Sequence, residues 1–250
     1  MKGIILAAGR GVRLGPHTAD KPKSLIPLGG MTLLQRNVEN LRKAGVKEVV
    51  VVVGYRHEMI EDMLAKNFPA NFYRTIMNPD YTRGSGSSLV CAQQEMQGDI
   101  IMVESDLLYD GEILKRLSAP SVKKALTMGF FNHNRKEVKL YLKNNYIQKA
   151  QWAEPEDKEA DGDWVGFTRL DSEGSHALKT ILEQTHPEQG KEIGYESFIF
   201  ELVQKYQFQS ILIQDLPWIE IDNEIDLKKA IEEVYPRIEA REKASCRSQH

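Results

Sequence analysis

The sequence predicts an α/β fold: a mostly parallel (mixed), Rossmann-like sheet flanked by helices, with a small antiparallel extension. Three observations predict it. Short, continuously apolar runs recur at Gly3–Ala8, Glu48–Val53 and Asp99–Val103, as in strands buried on both faces. Segments of helical period separate them, so strand and helix alternate as βαβ units with right-handed crossovers. From about Lys123, strand-like runs follow one another without long helices between them, which suits antiparallel pairing.

Taken in order, Gly3–Ala8 is the first strand. Gly9–Gly30 is a connection rich in Gly, Pro and basic residues. A compact domain rarely keeps more than ~12–15 structureless residues unless they work, which marks this loop as functional. Thr32–Ala44 reads as a helix, with Thr32 as cap and Leu33, Leu34, Val38 and Leu41 on one face; Gly45 stops it. The five valines within Glu48–Val53 make a central strand. His57–Lys66 is helical, Phe72–Met77 a strand, Ser87–Met96 helical, and Asp99–Val103 a strand ending at Glu104-Ser105-Asp106. Ala125–Phe131, Val138–Leu142 and Trp164–Leu170 read as strands, and acidic Glu154–Asp163 as a surface loop. Ser172–Thr185 and Tyr195–Lys205 are helical, Ser210–Gln214 and Ile219–Ile221 strands, and Asn223–Val234 a last helix.

The 250 residues, 41% hydrophobic and 28% charged, suit a single domain over residues 1–235 with a polar, frayed tail over 236–250. Net charge is -3, and no run of like charge suggests a nucleic-acid groove or a membrane patch. Cys91 and Cys246 lack metal or disulfide spacing. No segment reaches the ~18 apolar residues of a membrane span. The apolar start is too short for a signal peptide and runs into glycines, which reads as the first strand of a cytoplasmic protein. The sequence leaves a homodimer open.

In an open parallel sheet, ligands sit at the carboxyl ends of the strands. The first strand ends in Gly9-Arg10-Gly11-Val12-Arg13, where glycines let backbone N–H groups approach a polyphosphate. A tight turn explains the same glycines. The P-loop spacing is absent, and Leu14 stands where a dinucleotide fingerprint needs its third glycine, against a dinucleotide-binding oxidoreductase. Arg13 follows the glycines, and Lys21-Pro22-Lys23 closes the loop, with Pro22 stiffening the approach of Lys23. A rigidly presented lysine suits a transferring phosphoryl group, and no proton chemistry is asked of it. His17, His57, His133, His176 and His186 show no nucleophile or metal spacing and read as structural or solvated.

Leu6-Ala7-Ala8-Gly9-Arg10-Gly11-Val12-Arg13-Leu14, followed by Lys21-Pro22-Lys23-Ser24-Leu25-Ile26-Pro27-Leu28, resembles the signature of the sugar-phosphate nucleotidyltransferase superfamily. The resemblance implies that Leu6, Ala7, Ala8, Gly9, Gly11 and Arg13 hold the nucleotide and its triphosphate. It implies that Lys23 contacts phosphates of both substrates. Two acids stand at strand ends: Asp106 after the strand that ends at Val103, and Asp222 after Trp218-Ile219-Glu220-Ile221. Asp222 also reads as a helix cap, a task Asn223 can take instead, and Asp106 as a turn acid. Magnesium prefers one or two carboxylates plus phosphate oxygens, and by resemblance Asp106 and Asp222 share Mg2+, with Glu104 and Glu220 beside them.

Tyr81–Leu89 is rich in small residues that can lie against a base, with Ser87 and Ser88 reaching its edge. Glu104–Asp110, Leu216–Asp222, Gly162–Gly166 and Gly194–Glu196 resemble the branch of cytidylyltransferases that activates phosphocholine or 2-aminoethylphosphonate. The resemblance implies CTP and a small phosphorus-bearing head group as substrates. Arg83–Leu89 also resembles the inositol-1-phosphate cytidylyltransferases, so the acceptor stays open, as do a sugar 1-phosphate and a non-catalytic nucleotide-binding module. A zwitterionic acceptor needs aromatic faces or carboxylates for its ammonium. Tyr109, Trp152, Trp164, Tyr195 and Trp218 are the aromatic candidates, about two of which are expected to touch it, with Glu196 and Glu154 as acids.

Overall fold

A computed structural model describes residues 1–131, 135–184 and 193–247, with side chains to residue 245. The readings of His133, His186, Thr185 and the Cys246 side chain lie outside the described residues. Chain order runs β1 (Lys2–Leu6), a short hairpin of β2 (Pro27–Leu28) and β3 (Met31–Thr32), α1 (Leu33–Lys43), β4 (Glu48–Val53), α2 (His57–Asn67), β5 (Tyr73–Met77), α3 (Ser85–Cys91) and β6 (Ile100–Glu104). Then come β7 (Leu107–Tyr109), α4 (Glu112–Leu117), β8 (Ala125–Gly129), β9 (Glu137–Lys143), β10 (Tyr146–Ala153) and β11 (Gly162–Leu170). The chain ends with α5 (Ser172–Gln184), α6 (Glu196–Lys205), β12 (Phe208–Leu212), β13 (Trp218–Glu220), α7 (Glu224–Lys229) and α8 (Tyr235–Arg247).

Nine strands form one mixed sheet in the order β5-β4-β1-β6-β11-β8-β12-β10-β9. Its first four strands are mutually parallel, and β11 runs antiparallel to both β6 and β8. Alternate residues of β1 and β4 feed opposite faces. Ile5, Val49, Val51 and Val53 pack with Leu34, Val38 and Leu41 of α1, while Ile4 and Val52 pack with Leu89 of α3 and Ile199 and Leu202 of α6. Burial on both faces is why these strands read as unbroken apolar runs. A third apolar cluster joins Leu14, Ile26, Leu28, Leu33, Leu108 and Ile221 to Leu227, Ala230, Val234 and Ile238 of the C-terminal helices.

The antiparallel extension is present and larger than expected. β10, hidden in a polar stretch, pairs with β9 through a tight turn at Asn144 (φ 53) and Asn145 (φ 65). β11 begins at Gly162, so Asp163 is a buried strand residue ion-paired to Lys139 at 2.6 Å and not part of a surface loop. β13 pairs with β7 as a two-stranded ladder off the main sheet. The expected frayed tail is instead helix α8, with Ile238 fully buried and Arg241 paired to Asp110. Pro236, which suggests a stop, sits in the first turn of α8 after a π-turn at Ala230–Val234, where a missing N–H is tolerated.

Candidate active site

The loop after β1 presents its charges rigidly. Gly11 is left-handed (φ 75), and a Cβ there would lie 2.6 Å from Cβ of Lys23, so only glycine allows that approach. Thr18 donates its hydroxyl to the Gly11 carbonyl at 2.7 Å. Pro22 is extended, and a 3-10 turn at Lys23–Leu25 follows it. Lys23 Nζ then reaches Asp106 Oδ2 and Asp222 Oδ1, each at 2.8 Å. Arg13 Nη2 donates to the same Asp222 oxygen at 2.7 Å. Burial alone would lower the Lys23 ammonium, but the Asp106 and Asp222 carboxylates outweigh it and hold its pKa well above the usual range. Burial would raise Asp222, and Lys23, then Arg13 and Arg135, outweigh that and hold it below its usual range.

Asp106 and Asp222 are brought together by the β7–β13 ladder, where Ile221 N donates to the Asp106 carbonyl at 3.1 Å. Asn223 caps α7, accepting from Ile225 N at 2.9 Å and Asp226 N at 3.1 Å. Asp222 is thereby free of the capping role that the sequence leaves open to it.

Carboxylate oxygens of Glu104, Asp106 and Glu220 lie within 4.8 Å of one another, a group that could hold a metal ion. Asp222 stands outside that group, across Lys23. Among the described residues, buried Asp106 Oδ1 has no hydrogen-bond partner. Burial, then Asp106, pushes Glu104 up to about 8, and the same causes raise Glu220 well above the carboxylate range. Crowded acids around an unpartnered oxygen fit a hard divalent cation. Glu104 has its place because β11 bulges at Gly166 (φ 57), where a Cβ would lie 2.3 Å from Glu104 Oε2.

Two cavities meet at Asp106. The first, about 380 Å³, is lined by Ala8, Gly9, Gly11 and Lys23 from the first loop and by Tyr81, Thr82, Gly84 and Ser88 before and within α3. The second, about 450 Å³, takes in Arg13, Glu104, Trp152, Tyr195, Glu196, Glu220 and Asp222. Leu6, Ser85, Ser105 and Asp106 border both. Tyr195 donates its hydroxyl to Glu104 Oε1 at 2.6 Å, and buried Glu196 Oε2 has no partner among the described residues. Burial, then Glu104 and Glu196, raises the Tyr195 hydroxyl; burial likewise raises Glu196.

Some expected residues lie elsewhere. The Ala7 methyl is in the core, and its N–H donates to the Val52 carbonyl. Ser87 turns away, donating to the Gly84 carbonyl at 2.7 Å and accepting from Asn78. Tyr109 is 1% exposed, edge-on to Phe167 with ring centroids 4.7 Å apart. Trp164 packs edge-on against Tyr195 and donates to the Phe167 carbonyl at 3.0 Å, so it supports the cavity from behind. Trp218 is covered by Phe131 and lines a separate cavity of about 300 Å³. These three aromatics are core or packing groups because the strands that carry them point them inward. Trp152, 45% exposed, and Tyr195 are the two of five that reach the second cavity. Glu154 is exposed, 4.0 Å from Lys136.

Sequence reasoning missed Arg135, Lys136 and Glu137 on the second cavity, and Asn78, Ser85 and Ser105. Arg135 Nη1 lies 3.5 Å from Asp222 and 3.3 Å from Asp226. Burial pushes Glu137 up to about 7. The available signal was the Arg135-Lys136-Glu137 triplet opening an alternating strand. Ser85 Oγ accepts from Tyr195 N at 3.0 Å and so joins the two cavities.

A family model described as a MobA-like NTP transferase domain matches residues 3–162. The CMP-5'-(3-aminopropyl)phosphonate synthase of Streptomyces rubellomurinus is 31% identical over 120 residues, 48% of this chain and 19% of that protein. The first two curated relatives are matched over 19% and 53% of their own length. The CTP:phosphoglutamine cytidylyltransferase of Campylobacter jejuni is 24% identical over 258 residues, 93% of this chain and 100% of that protein. In fold, the chain matches the solved CTP:phosphocholine cytidylyltransferase from Streptococcus pneumoniae with TM-score 0.81 and 19% identity, covering 92% of this chain and 97% of that one. Among the described residues, no helix is long and apolar enough to cross a membrane. With the matched model covering more than half of its length, the chain belongs to the MobA-like NTP transferase family.

Proposed function

We propose that the chain is a cytidylyltransferase that moves CMP from CTP to a small aminoalkyl phosphonate, 2-aminoethylphosphonate before phosphocholine, and releases pyrophosphate. One observation carries this reading. The second cavity combines cations (Arg13, Arg135, Lys136) with half-buried acids (Glu104, Glu196) and two aromatic faces (Trp152, Tyr195). A ligand with a phosphorus anion at one end and an ammonium at the other matches both sets at once. The unpartnered Glu196 oxygen favours a primary amine, which donates hydrogen bonds, over a quaternary one, which cannot. The relative named for a CMP-aminopropylphosphonate product supports the same class.

An anionic phosphonate oxygen attacks the α-phosphorus of CTP, a new P–O bond forms, and the bond to the β-phosphate breaks with its electron pair leaving on pyrophosphate. No proton is transferred, so no general base is required. Gly9 and Gly11 present backbone to the triphosphate, and Ser88 offers a hydroxyl to a small base edge. Lys23 and Arg13 neutralise phosphate charge at the junction of the cavities. Asp106, with Asp222, Glu104 and Glu220 about it, would hold magnesium. When bound, that ion neutralises charge on the triphosphate and on the leaving pyrophosphate.

The test is kcat/KM with CTP for 2-aminoethylphosphonate and for phosphocholine, in wild type and in Glu196→Gln. We expect a wild-type preference for the primary amine that falls at least about tenfold in the variant, as when a charged hydrogen bond is lost. A clear preference for phosphocholine, untouched by the substitution, overturns the acceptor. Turnover of only inositol 1-phosphate or a sugar 1-phosphate overturns the zwitterion reading.

A further inference from the structure

The third apolar cluster has an unusual membership. Leu14 follows Arg13, Ile26 lies three residues after Lys23, Leu108 two after Asp106, and Ile221 directly before Asp222. Each of the four charged groups at the cavity junction is thus tied to the same small core. The C-terminal helices close that core with Leu227, Ala230, Val234 and fully buried Ile238.

Helix α8 also grips both arms of the junction by polar contacts. On one arm, Arg241 Nε donates to Asp110 Oδ2, and Asp110 directly follows β7. Asp110 is held in turn by its N–H to the Pro217 carbonyl at 3.0 Å and by Oδ1, which accepts from Glu112 N at 2.8 Å. Three extended residues then lead back to Asp106, and the β7–β13 ladder leads across to Glu220. On the other arm, Tyr235 donates to the Gly29 carbonyl at 3.4 Å in the hairpin that follows Lys23. The Arg36 guanidinium stacks 5.2 Å from the Tyr235 ring, donates to the Leu28 carbonyl and pairs with Glu242 at 3.5 Å. The contacts join residues far apart in the sequence, so no local propensity sets the spacing of Lys23 and Asp106.

We infer that α8 is a strap that sets the spacing of Lys23, Asp106 and Asp222, with Arg241 as a positioning residue acting through Asp110. The inference rests on the nucleotidyl-transfer reading only in taking those three residues as the machinery. Displacement of such a group by a fraction of an ångström lowers turnover, while the glycines of the first loop and the serines of α3 that make the rest of the nucleotide cavity keep their places.

The experiment compares wild type, Arg241→Ala, Arg241→Lys, Asp110→Asn and, as a control on the same helix, Lys243→Ala. Two readouts are taken at a temperature below every variant's melting point: kcat with KM for CTP, and Mn2+ affinity of the protein without substrates. We expect Arg241→Ala to lower kcat about tenfold with KM for CTP within about twofold. Its Mn2+ dissociation constant should rise about tenfold, as when a group behind a metal ligand is lost. Arg241→Lys should restore much of both, Asp110→Asn should reproduce the loss, and Lys243→Ala should match wild type. A lower melting temperature with kcat and Mn2+ affinity unchanged overturns the inference, because α8 is then only a stabilising element. Equal losses in Lys243→Ala overturn it as well. If Arg241→Ala fails to fold, Arg241→Lys and Asp110→Asn decide by the same readouts. If wild type turns over no nucleotide, the proposed function fails, and Mn2+ affinity alone decides the role of Arg241.

Discussion

The two cavities that meet at Asp106 are built of different material. The side we propose for the nucleotide is mostly backbone and small side chains: Gly9, Gly11, Gly84, Ser85 and Ser88, drawn from the turn after β1 and from α3 with the glycine before it. The other side is long charged side chains and rings: Arg13, Glu104, Arg135, Trp152, Tyr195 and Glu196, drawn from β6, β10, α6 and the loops beside them. A cradle made largely of backbone offers few side chains to exchange, so it can stay fixed while the groups around it vary. Side chains on separate elements can be exchanged one at a time, so the acceptor can change while the reaction is kept.

That contrast can be broken at four points. At the shared junction, Lys23→Ala should lower kcat by about 10²–10³, the usual loss for one preorganised charge at a developing anion. Removal of divalent metal by chelation should abolish pyrophosphate release until magnesium is returned. Lys23→Ala retaining most activity in steady-state assays would dissolve the junction as the catalytic centre. On the nucleotide side, Gly11→Ala forces the Lys23 side chain to move and strains a left-handed backbone. We expect kcat to fall by up to about 10² and the KM for CTP to rise, with the KM for acceptor little changed; an equal rise in both KM values would erase the division between cavities.

On the acceptor side, Trp152→Ala should raise the KM for acceptor about three- to thirtyfold, the range of a cation–π contact, and leave the KM for CTP alone. A change in the CTP constant instead would reassign Trp152. Smallest of all, Trp164→Phe removes the bond to the Phe167 carbonyl but keeps the ring behind Tyr195. It should cost about 1 kcal/mol of stability in denaturant unfolding and leave both KM values within about twofold. A large loss of acceptor affinity would bring Trp164 into the site.

How much of this was legible follows the same division. The first loop, Lys23 and the parallel strands were readable because their determinants are local: glycines at a strand end, a rigid Pro22, valines buried on both faces. Asp106 and Asp222 were readable as positions after apolar runs, and their common contact with Lys23 needed the fold. β10 was missed because its outward face is polar, although Asn144-Asn145 marks the hairpin turn. Tyr109, Trp164 and Trp218 were misplaced because an aromatic residue's sequence neighbours do not say which face of a strand is covered. Arg135 and Lys136 were passed over because a surface basic pair looks the same whether it borders solvent or a cavity. Helix α8 reads as a tail because polar residues surround Ile238, the one fully buried side chain among its described residues.

The central claim is that a nucleotide cradle and a cavity with charges for a zwitterion share one transfer centre. The most direct measurement offers the four nucleoside triphosphates, each with magnesium and 2-aminoethylphosphonate, and follows both pyrophosphate and the phosphorus-linked product by 31P NMR. The account predicts pyrophosphate with CTP, in equal amount to a CMP–aminoethylphosphonate anhydride, and little with ATP or GTP. Pyrophosphate with ATP or GTP but not CTP, or formed with CTP only when a sugar phosphate replaces the aminophosphonate, would contradict it.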